Sequence, residues 1–301
     1  MDKVFAIAQN TFKEAIRNRV MYVILVFAIL FILTGVVVKD LTIAAHGLVI
    51  RAIGLWAINV FGLILALLLG IGLVYTELDK KTIYTIVSKP IDRWQFLLGK
   101  YLGLLLTLYL IVVVMSAVFL VEIHLLNRQI QDPHFGLAML MSLKAIFLGC
   151  VELAVVVAFA LLFSSFSSPV LSGFMTLMVI VAGRLNEDIE RFAQKIIAGF
   201  EGGGEVAKQG FLAGMAFLRD PATGATIFDQ IKFLFAKGTA LVFPNFELFN
   251  ARTLALHFDT VDVNILKMIT VSTSDALIYA VPYTASVLLL AMFLFGRRNF
   301  R

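Results

Sequence analysis

The chain has 301 residues, of which 60% are apolar and only 15% are charged. Soluble domains are roughly 45–50% apolar and about 25% charged, so this composition argues against a soluble protein and favours an integral membrane protein. In a membrane protein a net charge of +5 is explained by Lys and Arg in cytoplasmic loops. The charge therefore gives no reason to expect a nucleic-acid partner.

Cysteine and histidine usage argues against several kinds of site. Cys150 is the single cysteine, which excludes an intrachain disulfide and a paired-thiol site. The four histidines are scattered, and no two have the spacing of metal ligands. We therefore expect this chain to bind no metal or cofactor of its own.

Residues 1–19 form the first predicted element, an amphipathic helix on the inner membrane surface. Phe5, Phe12 and nearby small or aliphatic residues share one face, and Lys13 and Arg17 lie on the other. A cleaved signal peptide is not expected, because the apolar run begins only after these residues. The alternative is a simple membrane anchor without a partner.

Apolar runs then predict six transmembrane helices. Residues 20–184 hold five of them, and residues 276–301 hold the sixth and a basic tail; the predicted crossings are 20–38, 52–76, 101–121, 143–163, 169–184 and 276–296. Charged residues limit several runs, among them Arg51, Lys100 and Glu122. A tight hairpin is predicted at residues 164–169, and Pro282 is expected inside the last helix. The predicted fold is therefore an all-α integral membrane protein.

The basic residues predict the orientation of the chain. Twelve of the 25 Lys and Arg residues lie in segments on the side of both termini, and four lie in the short segments on the other side. An excess of positive charge marks cytoplasmic segments. We therefore expect a multi-pass inner-membrane protein with both termini in the cytosol.

Residues 77–95 join the second and third predicted spans and form the densest polar cluster at a membrane boundary. This segment, which we call the elbow, includes Glu77, Lys80, Lys81, Thr82, Pro90 and Arg93, with Lys100 close behind it. Pro90 blocks continuation of the preceding helix, and Asp92 can cap the next one. A short helix held between two spans would act as a lever for a partner. The alternative is a solvated basic loop that serves topology alone.

Residues 185–275 are the only place for an extramembrane domain. Apolar residues recur at helical spacing from Leu185 to Phe200, with Asn186 available as a cap, and apolar stretches follow at 210–218, 227–243 and 248–258. This segment is too apolar for a freely solvated domain. We expect short helices along the outer membrane face or partly re-entrant between the spans, which gate an exit or meet a periplasmic partner.

Two further features bear on chemistry. No P-loop is present, because Gly99-Lys100 is followed by Tyr101 and the glycines 202–204 are followed by Glu205. Any ATP that drives the protein must therefore bind another chain. Glu152 is the one acid inside a predicted span, so it is a candidate for a transport path, with a helix-packing hydrogen bond as the alternative.

Several motifs resemble the permease subunits of ABC-2-type transporters, particularly the branch with the nitrous-oxide-reductase maturation and gliding-motility permeases. The residues that carry the resemblance are Arg17-Asn18-Arg19, Glu77, Lys81-Thr82, Ser88-Lys89-Pro90, Arg93, Gly99-Lys100, Pro244-Asn245 and Phe249-Asn250. The family commonly has Gly-Thr where this chain has Lys81-Thr82.

The resemblance implies a subunit without catalytic activity of its own. Two permeases would pair, as a homodimer or as a heterodimer with a related permease, and separate ATPase subunits would bind ATP and Mg²⁺. The N-terminal helix and the elbow would contact those ATPases, and substrate would generally move outward. The alternatives are an ion-coupled secondary transporter, an intramembrane enzyme and a structural scaffold. The first two lack their expected signatures in this sequence, and a scaffold leaves the basic elbow unexplained.

Overall fold

The computed structural model describes residues 2–39, 46–79, 92–130, 135–200, 203–206, 210–257 and 273–297. All regular structure within these ranges is helical, which confirms the all-α prediction for them. The helices are α1 (Asp2–Ile16), α2 (Arg19–Lys39), α3 (His46–Asp79), α4 (Arg93–Ile130), α5 (Phe135–Phe166), α6 (Pro169–Arg184), α7 (Asn186–Ala198), α8 (Gly203–Val206), α9 (Phe211–Arg219), α10 (Ile227–Val242), α11 (Arg252–His257) and α12 (Thr273–Arg297). Short 3₁₀ turns lie at Pro221–Thr223 and Phe246–Phe249.

Five of these helices are long and apolar enough to cross a membrane, namely α2, α3, α4, α5 and α12. Helix α6 meets the same standard only together with α7, from which it is bent by 53°. The 16 residues of α6 span about 24 Å, less than the roughly 30 Å of a bilayer core. By length and composition, the described residues therefore contain five candidate membrane spans, or six if the bent pair is one of them.

Helices α3 and α4 extend well beyond the predicted crossings. They have 34 and 38 residues, or roughly 51 and 57 Å. Arg51, Lys100 and Glu122, which limited the predicted spans, lie inside these helices and are buried. These charges therefore do not end their helices, and neighbouring residues cover them where each helix continues. Their interpretation as the ends of the membrane crossings stays a prediction.

Residues Met1–Leu177 and Leu248–Arg301 form one compact unit, in which α3 packs against α2, α4 and α5. Small residues follow one face of α3 at steps of four or eight: Gly54, Gly62, Ala66 and Gly70. A Cβ atom at Gly70 would lie 2.7 Å from the Cβ of Ala160 on α5, and one at Gly54 would overlap the Phe119 ring of α4. Such close approach of backbones is how membrane helices gain packing contacts.

The break between α5 and α6 and the course of the last helix agree with the sequence. Helix α5 ends at Phe166 and α6 begins at Pro169, which confirms the position of the predicted turn, while a tight hairpin stays a prediction. Helix α12 continues through Pro282, as expected. Pro282 is exposed. The side of α12 away from Pro282 packs against α4 and α5, and Ala276, Ala280 and Ala291 on that side are buried.

Residues Met178–Glu247 form a second compact unit. Its core consists of Ala193, Ile197, Leu218, Phe233 and Ala236. Helix α7 confirms the helical spacing seen from Leu185 onward, and α9 and α10 lie in two of the predicted apolar stretches. The location of this unit outside the cytosol stays a prediction.

Asn186 has a different role from the predicted one. It is the first residue of α7, where Leu185 occupies the capping position without a side-chain hydrogen bond. The Asn186 Nδ2 atom instead donates to the carbonyl oxygens of Ala240 at 2.9 Å and Phe243 at 2.8 Å. Asn186 therefore satisfies carbonyl groups at the end of α10, which have no partner within their own helix.

Candidate functional site

Helix α1 packs along the beginning of α4. Thr11 and Ala15 are buried, and Val4, Ile7 and Ala8 on the same face are partly buried. These five residues recur at steps of three or four, as expected for one face of a helix. This packed face lies next to the predicted apolar face of Phe5 and Phe12, and the two faces have Ala8 and Ala15 in common.

Gly99 and Gly103 on α4 make this contact close. A Cβ at Gly99 would lie 2.7 Å from the Cβ of Ile7, and one at Gly103 would lie 2.6 Å from the carbonyl oxygen of Ala8. The two glycines form a Gly-x-x-x-Gly motif, which lets two helix backbones approach. We call this contact the α1–α4 junction.

The rest of α1 has two further faces. Phe5 is 72% exposed, and Phe12 beside it is partly buried. On the remaining side, Lys3, Lys13 and Arg17 are exposed. Helix α1 therefore has a packed face, an aromatic face and a basic face, which suits an element that contacts α4, lipid and a third surface at once.

Lys100 lies beside the glycines of the α1–α4 junction and is only 1% exposed. Its Nζ atom is 5.2 Å from the centre of the Phe96 ring, and this ring stacks on Phe295 of α12 at 6.0 Å. A cation near an aromatic face is favourable, more so when desolvated. The stack joins α12 to the same end of α4, so three helices meet at this point.

Most of the elbow lies outside the described residues, including Lys80, Lys81, Thr82 and Pro90. Glu77 is in the last turn of α3, and Arg93 is the first residue of α4. The predicted helix start after Asp92 is confirmed, and the Asp92 backbone N–H donates to the Gln95 side-chain oxygen at 3.4 Å. This bond satisfies the N–H that precedes the helix.

Glu152 is 1% exposed and accepts a hydrogen bond from Asn59 Nδ2 of α3 at 3.2 Å. This finding agrees with the prediction that it faces the interior of the bundle, and it provides the helix-packing hydrogen bond weighed as the alternative. Asn59 was missed from the sequence, because a single amide in an apolar run does not reveal its partner. A role on a transport path stays a prediction.

Two tyrosines of α4 hold the same part of α5. Tyr101 donates to the carbonyl oxygen of Ala154, and Tyr109 donates to that of Cys150, both at 3.2 Å. These carbonyl groups flank Glu152 along α5. Hydrogen bonds from α3 and α4 therefore reach the same short stretch of α5, and they fix the helix positions because unmade hydrogen bonds in an apolar interior are costly.

Arg51 and Glu122 are further buried charges that the sequence did not mark as interior. A Cβ at Gly35 of α2 would lie 2.8 Å from Glu122 Oε1 and 3.6 Å from the Ile50 Cα of α3. The Glu122 carboxylate therefore lies where α2, α3 and α4 meet. The glycine at position 35 leaves room for it, and such charges within a membrane bundle face its interior.

A family model described as ABC-2 family transporter protein matches residues 5–186. The chain belongs to this family. The match begins in α1 and runs through the α1–α4 junction, the elbow and Glu152. The ABC-2 protein is thus a multi-pass membrane protein and the permease subunit of an ABC transporter, with the ATPase in a partner chain. A comparison with curated proteins found no match.

Proposed function

We propose that this permease is the membrane part of an ATP-driven exporter. Two permeases, identical or related, pair in the inner membrane with both termini in the cytosol, and two ATPase subunits bind ATP and Mg²⁺ beneath them. The excess of Lys and Arg on the side of the termini supports this orientation. The absence of a P-loop from the sequence supports separate ATPase chains.

The α1–α4 junction is the observation that carries the proposed mechanism. Because Gly99 and Gly103 bring the backbones into contact, a displacement of α1 moves α4 with it. Interiors packed this closely transmit strain. Lys13 and Arg17 of α1 are exposed and provide a basic surface for the ATPase, and the elbow links α3 to α4 along the chain.

Movement of the two ATPases on binding ATP would press on α1 and the elbow of each permease. The two helical bundles would then rock and open a path between them, with the unit Met178–Glu247 as a gate or as a surface for a periplasmic partner. Glu152 remains a candidate for this path.

Charge reversal in the elbow tests the docking part of this proposal. The substitutions Lys80→Glu, Lys81→Glu and Arg93→Glu together should reduce co-purification of the ATPase at least about tenfold and abolish its stimulation by the permease, since each removes one positive charge from the contact and adds a negative one. The candidate ATPase is sought among P-loop proteins encoded by genes adjacent to the gene of this chain.

The matched control reverses three basic residues of the second unit, Arg191, Lys195 and Arg219. All three are exposed, so the change in net charge is equal while the elbow stays intact. The control should leave ATPase binding unchanged. Equal binding of the elbow variant and the unmodified permease would contradict the docking assignment, and equal loss in both variants would indicate a non-specific charge effect.

A further inference from the structure

Helix α10 has apolar side chains on two opposite faces. One face holds Phe233 and Ala236, which are buried in the core of their unit. The opposite face holds seven large apolar side chains that are all exposed: Ile227, Phe228, Ile231, Leu234, Phe235, Leu241 and Val242. At 100° per residue these side chains and Gly238 occupy one arc of about 140°. We call it the outer stripe of α10.

The outer stripe contains no polar side chain. The exposed fraction of its side chains ranges from 48% at Leu234 to 83% at Leu241, and a contiguous exposed apolar patch with polar edges marks an interaction site. A helix that is apolar on both sides is normally covered on both sides. The core of the unit covers one side of α10, and the outer stripe needs another apolar environment.

Polar residues border the stripe on both edges. Lys232 lies on one edge, with its Nζ 4.4 Å from the Phe228 ring centre and 3.3 Å from Asp229 Oδ1. Lys237 lies on the other edge and pairs with Glu190 at 2.5 Å. Lysines whose stems follow an apolar surface while their ammonium groups reach its border are typical of helices in a membrane interface.

The composition of the stripe distinguishes lipid from a protein partner. Protein interfaces carry about one hydrogen bond for each 100–200 Å², and the side chains of the stripe provide no donor or acceptor. Acyl chains require none. The positive and negative groups lie only at the edges, where lipid headgroups and water would be.

Chain continuity places this unit beside a bilayer. The unit begins at Met178, within helix α6, and α6 with α7 qualifies as a bent membrane span. Met178 and Val181, which belong to the unit, are themselves exposed and apolar. The unit therefore includes part of a segment that is apolar enough to enter a membrane, together with exposed apolar side chains on that segment.

We propose that α10 lies in the membrane interface with its outer stripe in the acyl region of the bilayer. The unit is then anchored to lipid by α10 as well as by α6. Phe233 and Ala236, which α10 contributes to the core of the unit, are thereby held at the membrane surface. This inference is independent of ATPase coupling, and it holds or fails without the partner chain.

Lipid-dependent quenching tests the proposal with the full chain in lipid nanodiscs. Cys150 is first replaced by Ser, and single cysteines are introduced at Phe235, at Leu241 and, as the control, at Asp188. The Asp188 side chain is 70% exposed and lies in the same unit. Each cysteine carries an environment-sensitive fluorophore, and its emission is measured with spin-labelled phosphatidylcholine and with iodide in the buffer.

The expected result is at least about threefold stronger quenching by spin-labelled lipid at Phe235 and Leu241 than at Asp188, with the opposite order for iodide. Two positions are used so that a folding defect in one variant does not decide the outcome. Quenching by iodide at both stripe positions would overturn the proposal. Protection from both quenchers, together with cross-linking between two copies, would also overturn it and assign the stripe to a dimer contact.

Discussion

Helices α1 and α10 are both peripheral and nearly equal in length, with 15 and 16 residues. Each buries one face against its own unit. Helix α1 exposes lysine and arginine on another face, whereas α10 exposes only apolar side chains on the face opposite its core. The difference indicates different partners, because exposed charge suits a soluble protein and an uninterrupted apolar stripe suits lipid.

The two helices are also held by different chemistry. Backbone contact at Gly99 and Gly103 holds α1, with little side-chain volume between the helices. Phe233 in an apolar core holds α10, and the Asn186 side chain satisfies carbonyl groups at its end. Close packing of this kind transmits movement from one helix to the other, whereas the contacts of α10 mainly fix its position.

The largest expected effect concerns the α1–α4 junction. The substitution Gly103→Ala places a Cβ 2.6 Å from the Ala8 carbonyl oxygen, and overpacking of this kind costs roughly 1–3 kcal/mol. Amide exchange in α1, measured by mass spectrometry in nanodiscs, should accelerate by about tenfold or more.

The matched control is Gly72→Ala, since a Cβ at Gly72 meets no atom within 4 Å. Both changes raise helix propensity by about 1 kcal/mol, so their difference reports the contact alone. Unchanged exchange in α1 of the Gly103→Ala variant, or equal acceleration in both variants, would contradict the assigned junction.

A smaller effect is expected at the end of α10. The substitution Asn186→Ala leaves the Ala240 and Phe243 carbonyl oxygens without the donor described above, at a cost of about 1–3 kcal/mol for buried groups. Amide exchange in the last turn of α10 should rise several-fold. The Asp side chain of the variant Asn186→Asp has the same shape as Asn but, when ionised, has no hydrogen-bond donor. If the amides in the last turn of α10 exchange as slowly in this variant as in the unmodified protein, the Asn186 hydrogen bonds do not protect them.

The smallest effect concerns pH at the start of α10. Thr226 Oγ1 donates to Asp229 Oδ2 at 2.6 Å, and the Thr226 backbone N–H donates to the same oxygen at 3.2 Å. The side-chain hydrogen bond, followed by the backbone one, holds the pKa of Asp229 below its usual 3.8. Because the pKa is lower in the folded state, the ionised Asp229 carboxylate stabilises the fold. This stabilisation is complete above pH 3.8 and is lost as the pH falls through the lowered folded-state pKa.

The protection factor of amides in the first turn of α10 is the ratio of their exchange rate in an unstructured peptide to that in the protein. This protection factor should therefore stay constant from neutral pH to about pH 4 and fall below that pH. The variant Asp229→Asn has no titrating group at this position and serves as the control. A decline of the same size in this variant would assign the pH dependence to another group.

The features that the sequence predicts well are local. Ser167 and Ser168 before Pro169 mark the turn between α5 and α6, and the spacing from Leu185 onward marks α7. The close contact at Gly99 and Gly103 was not predicted, although small residues four positions apart are a signal for membrane helix pairs.

Features that depend on tertiary structure were not predictable in the same way. Lys100 and Glu122 resembled the ends of spans, since a single sequence does not show which helices cover a charge. Asn59 is identified as the partner of Glu152 only once α3 and α5 lie side by side. Asn186 has the sequence position of a cap for α7, yet it bonds to α10 because the fold brings that helix end to it.

The central claim is that α1 and α4 move as one body when ATP binds to the partner ATPases. Spin labels on cysteines at Asn10 of α1 and Val113 of α4, both exposed, allow the distance between them to be measured by double electron–electron resonance in the complex with Cys150 replaced by Ser. We predict that this distance is unchanged by ATP within one permease, while the distance between the Asn10 labels of the two permeases changes. An ATP-dependent change of the distance between α1 and α4 would contradict the account.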